Sequence, residues 1–479
     1  MKKRRGANES SRGSHPFRKE RGKDGATSTS PQPVPAPPGV AASSRLVQIE
    51  KPIYIEKPIY GGAFLARLEG KAVFVPLTLP GEQARVRIVD DKRGYATAEV
   101  EQIVTASQQR IAPACPHFGA CGGCQYQHAI YAAQLAYKQE ILRETLERGG
   151  VYPPEVIAVL AGEPWAYRNR IRLAFDAHED TGYRGRRSHA VIPIAECPIA
   201  APLLVRAALA ASRILRESPA SLRASEISLF CDATESALLV SLTIAGSEKR
   251  GFEDFAQALA GKIPELTGVE LLAGAAKGQA PQSIAQWGAN SLLYRAAGMD
   301  YRVDQGAFFQ VNRWLVDALV NRVTACASGA LAWDLFAGVG LFARQLARSF
   351  TRVIAVESAS ASLAALAHNL RGTNASAVKA TTLDFLRKER SSKRSDLIVP
   401  DLIIVDPPRT GLGPETTALL AEIAAPEIVY VSCDPATLAR DLRVLVDSRN
   451  GPRYVIDQIT LADLFPQTFH LETVVRLRR

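Results

Sequence analysis

The feature that most constrains this chain is a run of apolar segments alternating with helical sequence from about Leu331 onward: LAWDLF, RVIAVE, LIIVDPP and EIVYVSC. Strands that are apolar on both faces must be covered on both faces, and the intervening helices supply that cover. The pattern therefore predicts a mostly parallel, doubly wound sheet. Such sheets take ligands beyond the carboxyl ends of their strands. Functional residues in this part of the chain are to be sought just past each strand.

The remainder has a different rhythm. At 479 residues the chain is too long for one ordinary domain. Short alternating segments (KAVFVPL, ARVRIV, YATAEVEQI) with turns such as LPGEQ follow a twice-written hexamer, IEKPIY, between Ile49 and Tyr60. This spacing predicts a small barrel of the oligonucleotide-binding kind. Farther on, helical sequence at Ile130–Glu147 and around Leu203–Glu217, with strands near Tyr167–Phe175 and Ile227–Ala245, predicts a separate α+β unit.

Charge is unevenly placed. Residues 1–45 carry ten basic and three acidic side chains, so +7 of the formal +10 sits on this segment. It has no apolar periodicity and is rich in Pro, Ser and Gly, which predicts a disordered cationic arm suited to nucleic-acid phosphates or simply to solubility. It lacks the apolar stretch of a secretory signal. Elsewhere Arg206 interrupts the apolar stretch from Leu203 to Leu215, and no run reaches the roughly 18 apolar residues of a membrane span. A cytoplasmic protein is expected.

In a reducing compartment, clustered cysteines suggest metal binding or catalysis rather than disulfides. Cys115, Cys121 and Cys124 form a C-x5-C-x2-C run with Gly119, Gly122 and Gly123 between them, and Cys197 is the best fourth ligand. Four thiolates suit a 4Fe–4S cluster or zinc, and His117 and His128 keep a mixed zinc site open. Cys231 and Cys326 are expected to be small buried side chains.

Three strand ends carry chemistry. The first runs into Asp334 and then Gly338 and Gly340, with Glu357 closing the next strand. A carboxylate there can accept both ribose hydroxyls of an adenosine, whether of NAD, FAD or S-adenosylmethionine. A later strand ends at Asp406, after which two prolines force an extended turn toward Arg409. Another ends at Cys433, before a helix that Asp434 and Pro435 are suited to start. The helix dipole favours thiolate there and Asp434 opposes it, so an ordinary thiol is expected. His470 and Glu472 stand at the start of the last apolar strand.

A cysteine nucleophile, a carboxylate base and a polar group holding a ring are what alkylation of uracil carbon 5 requires. That carbon is too weakly nucleophilic until a thiolate adds to carbon 6, and its proton must then leave to a base. Cys433, Glu472 and Asp406 supply one of each.

The motifs CPHFGACGGCQYQH, FFQVN, DPPRTG, SCDPATLARD and FPQTFHLE resemble those of the uracil-5 RNA methyltransferase family, most closely its iron–sulfur-containing branch acting on 23S ribosomal RNA. The resemblance runs from about residue 46 to 479. It implies a multidomain α/β chain: beyond the tail of residues 1–45, a TRAM barrel at 46–106, a central α+β domain at 107–285 with a 4Fe–4S cluster, and a Rossmann-like class I methyltransferase domain at 286–479. Cys115, Cys121, Cys124 and Cys197 fall on cluster ligands. Gln310, Phe336, Glu357, Asp384 and Asp406 fall where the family contacts S-adenosylmethionine or the target pocket. Cys433 falls on the nucleophile and Glu472 on the base. An RNA partner is implied, with no membrane and no obligate protein partner. Leu341 and Gln467 depart from the family's common residues, a polar one and His.

Two relatives of this reading stay open: the same chemistry on a transfer RNA uridine, and a cluster-bearing RNA-binding protein without catalysis. A DNA cytosine-5 methyltransferase is disfavoured, because its thiol normally follows proline and here Ser432 precedes Cys433.

Overall fold

The structure is a computed structural model that describes residues 47–48, 52–217, 222–274, 281–391, 398–447 and 454–479. The cationic segment 1–45 and the start of the first hexamer lie outside the described residues. The chain divides into two compact units, one ending at Ser107 and the other running from Gln108 to Arg479.

In the first unit the strand Gln83–Asp91 pairs with Ile53–Pro58 on one side and Tyr95–Thr105 on the other, closing a small antiparallel-rich barrel through Ala63–Leu68 and Lys71–Pro76. Alternation along the strands sends Ile55, Phe64, Val73, Val75, Val86 and Ala98 inward, all but fully buried. Register shifts after Gln83, Arg85 and Ile88 bend the longest pair, as a barrel this small requires. Glu82 ties the closure: its carboxylate accepts the Leu79 N–H at 2.8 Å and the Ser107 N–H at 3.2 Å.

The second unit is built on two large sheets. The first has strand order Val191–Pro193, Thr181–Arg184, Arg170–Phe175, Ala224–Cys231, Leu238–Ile244, Leu266–Ala273, Gln282–Gly288. Helices Pro202–Glu217 and Phe252–Lys262 cover one face, burying Leu204, Ala207, Ala211, Phe255 and Leu259 against Ile227, Leu229 and Val240. The Ala and Leu spacing of the first helix gives it one apolar face over almost its whole length.

The second sheet has the order Ala375–Lys379, Phe350–Glu357, Gly329–Leu335, Leu402–Val405, Glu427–Ser432, Glu472–Arg478, Val455–Ala462, Ala158–Leu160. The first five are mutually parallel and Glu472–Arg478 runs against them. This is the doubly wound sheet expected from the alternation. Strand order reverses between Gly329–Leu335 and Leu402–Val405, so a crevice opens beyond those two ends. The edge strand Ala158–Leu160 comes from the middle of the chain. One continuous core also joins Phe230 and Leu239 of the first sheet to Val429, Val431 and Val474 of the second, through the hairpin Ser291–Ala296/Met299–Asp304. The two sheets thus share this part of the interior, while the helix-covered face of the first sheet has a core of its own.

Cys231 is buried as expected, but Cys326 is exposed. It sits at φ +57° just past the helix Val316–Thr324, where the chain turns outward. The expectation of burial is corrected.

Candidate active site and four-cysteine cavity

Sheet register builds the site. Ser432 is paired with Thr473 in the antiparallel ladder, so Cys433, one residue past its strand, stands at the same end as Glu472, the first residue of its own. Asp406 follows Val405 in the neighbouring parallel strand and reaches this same edge. Cys433 is half-buried, and Glu472 is 6% exposed.

The turn after Cys433 is set locally. Asp434 accepts the N–H groups of Ala436 and Thr437, each at 3.0 Å, and Pro435 opens the helix Pro435–Val446. The cap is the one the sequence suggested.

The electrostatics differ from the expected ordinary thiol. Burial, then the Glu472 carboxylate, pushes the Cys433 thiol up to about 12, and Arg409 acts the other way. Glu472 is itself raised well above the usual carboxylate range by burial and by Asp406, again opposed by Arg409. Desolvation lifts Asp406 to about 7. Cys433, Glu472 and Asp406 therefore form one field in which each anion disfavours the others, and Arg409 is the cation common to Cys433 and Glu472. An Arg409 Nη2 stands 2.9 Å from His470 Nδ1. Burial and Arg409 push His470 down to about 3, so it is a neutral ring. Arginine can only donate, which fixes Nδ1 as acceptor and leaves the proton on Nε2.

Phe336 and Glu357 flank the glycine loop at the strand-order reversal. Phe336 follows the strand Gly329–Leu335 at φ +68°, and Gly338 at φ +56° would place a Cβ in open space. Glu357 ends its strand with Oε2 accepting the Gly338 N–H at 2.8 Å, and Oε1 accepts the Ser358 and Ala359 N–H groups at 2.6 Å. That carboxylate ties the glycine loop to the neighbouring strand end. Gln310 is buried, its carbonyl held by Asn169 Nδ2 at 2.9 Å. Asp384 has a local task. It accepts the Thr381 hydroxyl at 2.7 Å while its N–H donates to that hydroxyl at 3.1 Å, capping the helix Thr382–Ser391.

Asp334, legible in the sequence only as the end of the first strand, has a further part. It is fully buried, accepts the Ala343 N–H at 2.8 Å, and is pushed up to about 7 by desolvation, with Asp406 and Glu357 adding to the rise. Its Oδ1 makes no hydrogen bond among the described residues. A strand-terminal Asp before a glycine loop was the available signal.

Cys115, Cys121, Cys124 and Cys197 line one cavity together with Arg168 and Tyr183. The loop is held by short-range bonds: Cys121 N–H to the His117 carbonyl at 2.8 Å, and Cys115 N–H to Gln127 Oε1 at 3.0 Å. Two polar groups meet sulfur: the Gly123 N–H donates to Cys121 Sγ at 3.3 Å, and the Tyr183 hydroxyl shares a hydrogen bond with Cys197 Sγ at 3.7 Å. Gly122 approaches the strand Thr181–Arg184 so closely that a Cβ would stand 3.1 Å from the Arg184 carbonyl. Burial raises the Cys121 thiol to about 11 and Cys124 to about 12. His117 Nε2 accepts the Ala195 N–H at 3.4 Å. Among the described residues no group of three or more His, Cys, Asp or Glu is placed to hold a metal ion. No described helix is long and apolar enough to cross a membrane.

Known proteins match this chain over most of its length. An uncharacterized RNA methyltransferase of Nitratidesulfovibrio vulgaris is 31% identical over 453 residues, covering 87% of this chain and 93% of the relative. The 23S rRNA (uracil(1939)-C(5))-methyltransferase RlmD of an Azoarcus species is 33% identical over 435 residues, 87% of this chain and 97% of that one. Its counterpart in Halomonas elongata is 32% identical and covers 89% of each. The crystal structure of Pyrococcus abyssi tRNA (uracil-54, C5)-methyltransferase in complex with S-adenosyl-L-homocysteine shares the fold, with TM-score 0.71 at 24% identity over 89% of this chain and all of that one. The TRAM domain matches residues 46–100, the segment that closes into the barrel. The tRNA (Uracil-5-)-methyltransferase family matches residues 130–479, and this chain belongs to that family.

Proposed function

We propose that this RNA uracil-5 methyltransferase acts on a uridine of 23S ribosomal RNA, and that it works through a covalent bond between Cys433 and carbon 6 of the base. The observation that carries the mechanism is the antiparallel register that sets Cys433 beside Glu472 at the edge where Asp406 also ends its strand.

The steps follow from the field at that edge. The Cys433 proton passes to solvent as its sulfur bonds to carbon 6, and the electrons of the carbon 5–carbon 6 double bond move onto the carbon 4 oxygen. Arg409 favours the anionic sulfur, offsetting part of the rise that burial and Glu472 impose. Carbon 5 then acts as a nucleophile. S-adenosylmethionine, when bound, supplies an electrophilic methyl group. The proton on carbon 5 passes to the Glu472 carboxylate, and the electron pair it leaves behind expels the Cys433 thiolate. Burial that raises Glu472 makes it a stronger base for that step. Asp406 is assigned to hold the ring, and a base paired in folded RNA would have to be unstacked to reach this edge.

Residues for the methyl donor fit the crevice. Open space beside Gly338, the left-handed Phe336, the Glu357 carboxylate and the unpartnered Oδ1 of Asp334 are features of a site that takes a polar ligand. Gln310, Phe336, Glu357 and Asp406 are assigned to it. Asp384 is included with its capping bonds kept, since a capped helix start can still present a carboxylate oxygen.

We assign a 4Fe–4S cluster to Cys115, Cys121, Cys124 and Cys197. Four thiols lining one cavity and the Gly123 N–H donated to Cys121 Sγ support it, and His117 already accepts a backbone hydrogen bond. The division of labour is RNA binding in the 46–106 barrel, the cluster in 107–285 and methyl transfer in 286–479. The enzyme acts in the cytoplasm, without a membrane or a fixed protein partner.

Mapping 5-methyluridine in total RNA from a strain lacking this protein tests the substrate. The expected result is loss of one or more sites in 23S RNA, restored by the wild-type chain. Loss confined to transfer RNA would move the assignment there, and unchanged RNA would refute it. Anaerobic purification should give about four irons per chain; stoichiometric zinc would overturn the cluster.

A further inference from the structure

The segment just before Glu472 is fixed partly by Tyr167, which donates to the Pro466 carbonyl at 3.0 Å, and Asn312, which donates to the Leu464 carbonyl at 3.1 Å, and partly by the end of the cysteine loop. The Gln467 carbonyl accepts the N–H groups of both Gln125 and Tyr126, each at 3.0 Å. Its own N–H donates to Gln134 Oε1 at 3.0 Å, while Gln134 Nε2 donates back to Gln467 Oε1 at 2.9 Å and to the Ala129 carbonyl at 2.9 Å. Gln125 reaches both ways: its Oε1 accepts the Phe469 N–H at 3.3 Å, and its Nε2 donates to the carbonyl of Gly122, between Cys121 and Cys124, at 3.1 Å.

Gln467 is 2% exposed and stands at φ +68°, a conformation that a side chain with a Cβ adopts only where its surroundings impose it. Every polar group of that residue named here is directed at Gln125, Tyr126 or Gln134. Gln134 belongs to the helix Tyr131–Arg148, whose Lys138 also donates to the Phe465 carbonyl at 3.0 Å. Gln134 must be an amide, because it both donates and accepts in a buried space, whereas position 467 must present a side-chain acceptor.

We propose that Gln125, Gln134 and Gln467 are positioning residues that latch the loop before Glu472 onto the cysteine loop, so that the cysteine loop sets where the base stands. The inference rests on the assignment of Glu472 as base, and the latch itself is testable without it. Its consequence is selective. Addition of Cys433 to the ring does not need Glu472, whereas release of the product does.

The test uses the full-length enzyme with Gln134→Glu, Gln467→Gly and Gln467→His. Gln134→Glu removes the donor and sets two oxygens against each other. Gln467→Gly relieves the left-handed backbone while deleting the amide, so any loss it shows is not strain. Histidine tolerates φ above zero and offers a ring nitrogen to accept from Gln134, so it should rescue. In the first two variants, amide hydrogen exchange across 463–471 should quicken by about tenfold or more. Turnover should fall by about 100-fold with KM little changed, as a base displaced by about 1 Å would produce. Covalent trapping on RNA carrying 5-fluorouridine should keep its rate. Unchanged exchange in both variants, or trapping and turnover falling in equal proportion, would overturn the latch. If the wild-type enzyme itself traps no RNA, the assigned mechanism fails, and the exchange data still decide whether the latch exists.

Discussion

Replacing Glu472 with Gln separates the two halves of the reaction, and the structure sets opposite signs for them. The substitution keeps the shape of the side chain and removes its charge. Glu472 leads the charged groups that raise the Cys433 thiol, so its loss should let that thiol ionise more readily. The available gain is bounded. At pH 8 a thiol at about 12 is roughly one part in ten thousand thiolate, against roughly one part in ten for one at the ordinary 9.0. Adduct formation should therefore be no slower than in the wild type, and faster by a factor below roughly a thousand. Its rate should climb as pH rises toward the Cys433 value, with the climb ending at a lower pH in the variant. Product release should fall by about 10² to 10⁴, the usual cost of losing a general base. Rapid quench with methyl-labelled S-adenosylmethionine and an RNA fragment reads both steps: label should appear on the protein–RNA adduct in one turnover and stay there. Free methylated RNA within about threefold of the wild-type rate would refute the role of Glu472. Adduct formation slowed in step with release would refute the electrostatic argument.

Further predictions follow from buried charge. Asp334 is raised to about 7 from 3.8, so the folded state holds its proton more tightly than the unfolded chain. Its contribution is fully present at low pH and is lost as pH rises from about 4 to 7, by up to about 4 kcal/mol. Asp334→Asn should thus gain stability relative to the wild type between pH 5 and pH 8 in denaturant titrations, and a gap that does not widen would contradict the burial argument. Lys138 and Asp463 form an ion pair at 2.6 Å with both side chains fully buried, and Tyr131 donates to the same carboxylate at 2.9 Å. Lys138→Met should cost about 3–5 kcal/mol by leaving Asp463 unpaired, and adding Asp463→Asn should restore part of it. A cost below about 1 kcal/mol would place the pair among ordinary surface bridges.

Much of the methyltransferase sheet could be read from the chain, since strand–helix alternation and strand-terminal residues are local patterns. The Asp434–Pro435 helix start at Cys433 is of this kind, and so is the small barrel with its inward alternation. What escaped was set by residues far apart in sequence. The thiol is not ordinary, because Glu472 and the surrounding protein reach it from other strands. The edge strand Ala158–Leu160 has three residues and no pattern of its own, so its place beside Val455–Ala462 could not be foreseen. Gln467 read only as a departure from a common His; its left-handed backbone and its bonds to Gln125, Tyr126 and Gln134 are tertiary facts. Asp384 was legible as a carboxylate, but its capping of its own helix emerged only with the Thr381 bonds.

The most direct test of the account is mass spectrometry of the complex formed with 5-fluorouridine RNA and S-adenosylmethionine, run beside Cys433→Ala. Fluorine cannot leave as a proton, so the wild-type enzyme should be caught with methylated RNA bonded to Cys433, and the variant should give neither adduct nor 5-methyluridine. Methylation by the variant at the wild-type rate, or an adduct mapped to another residue, would contradict it.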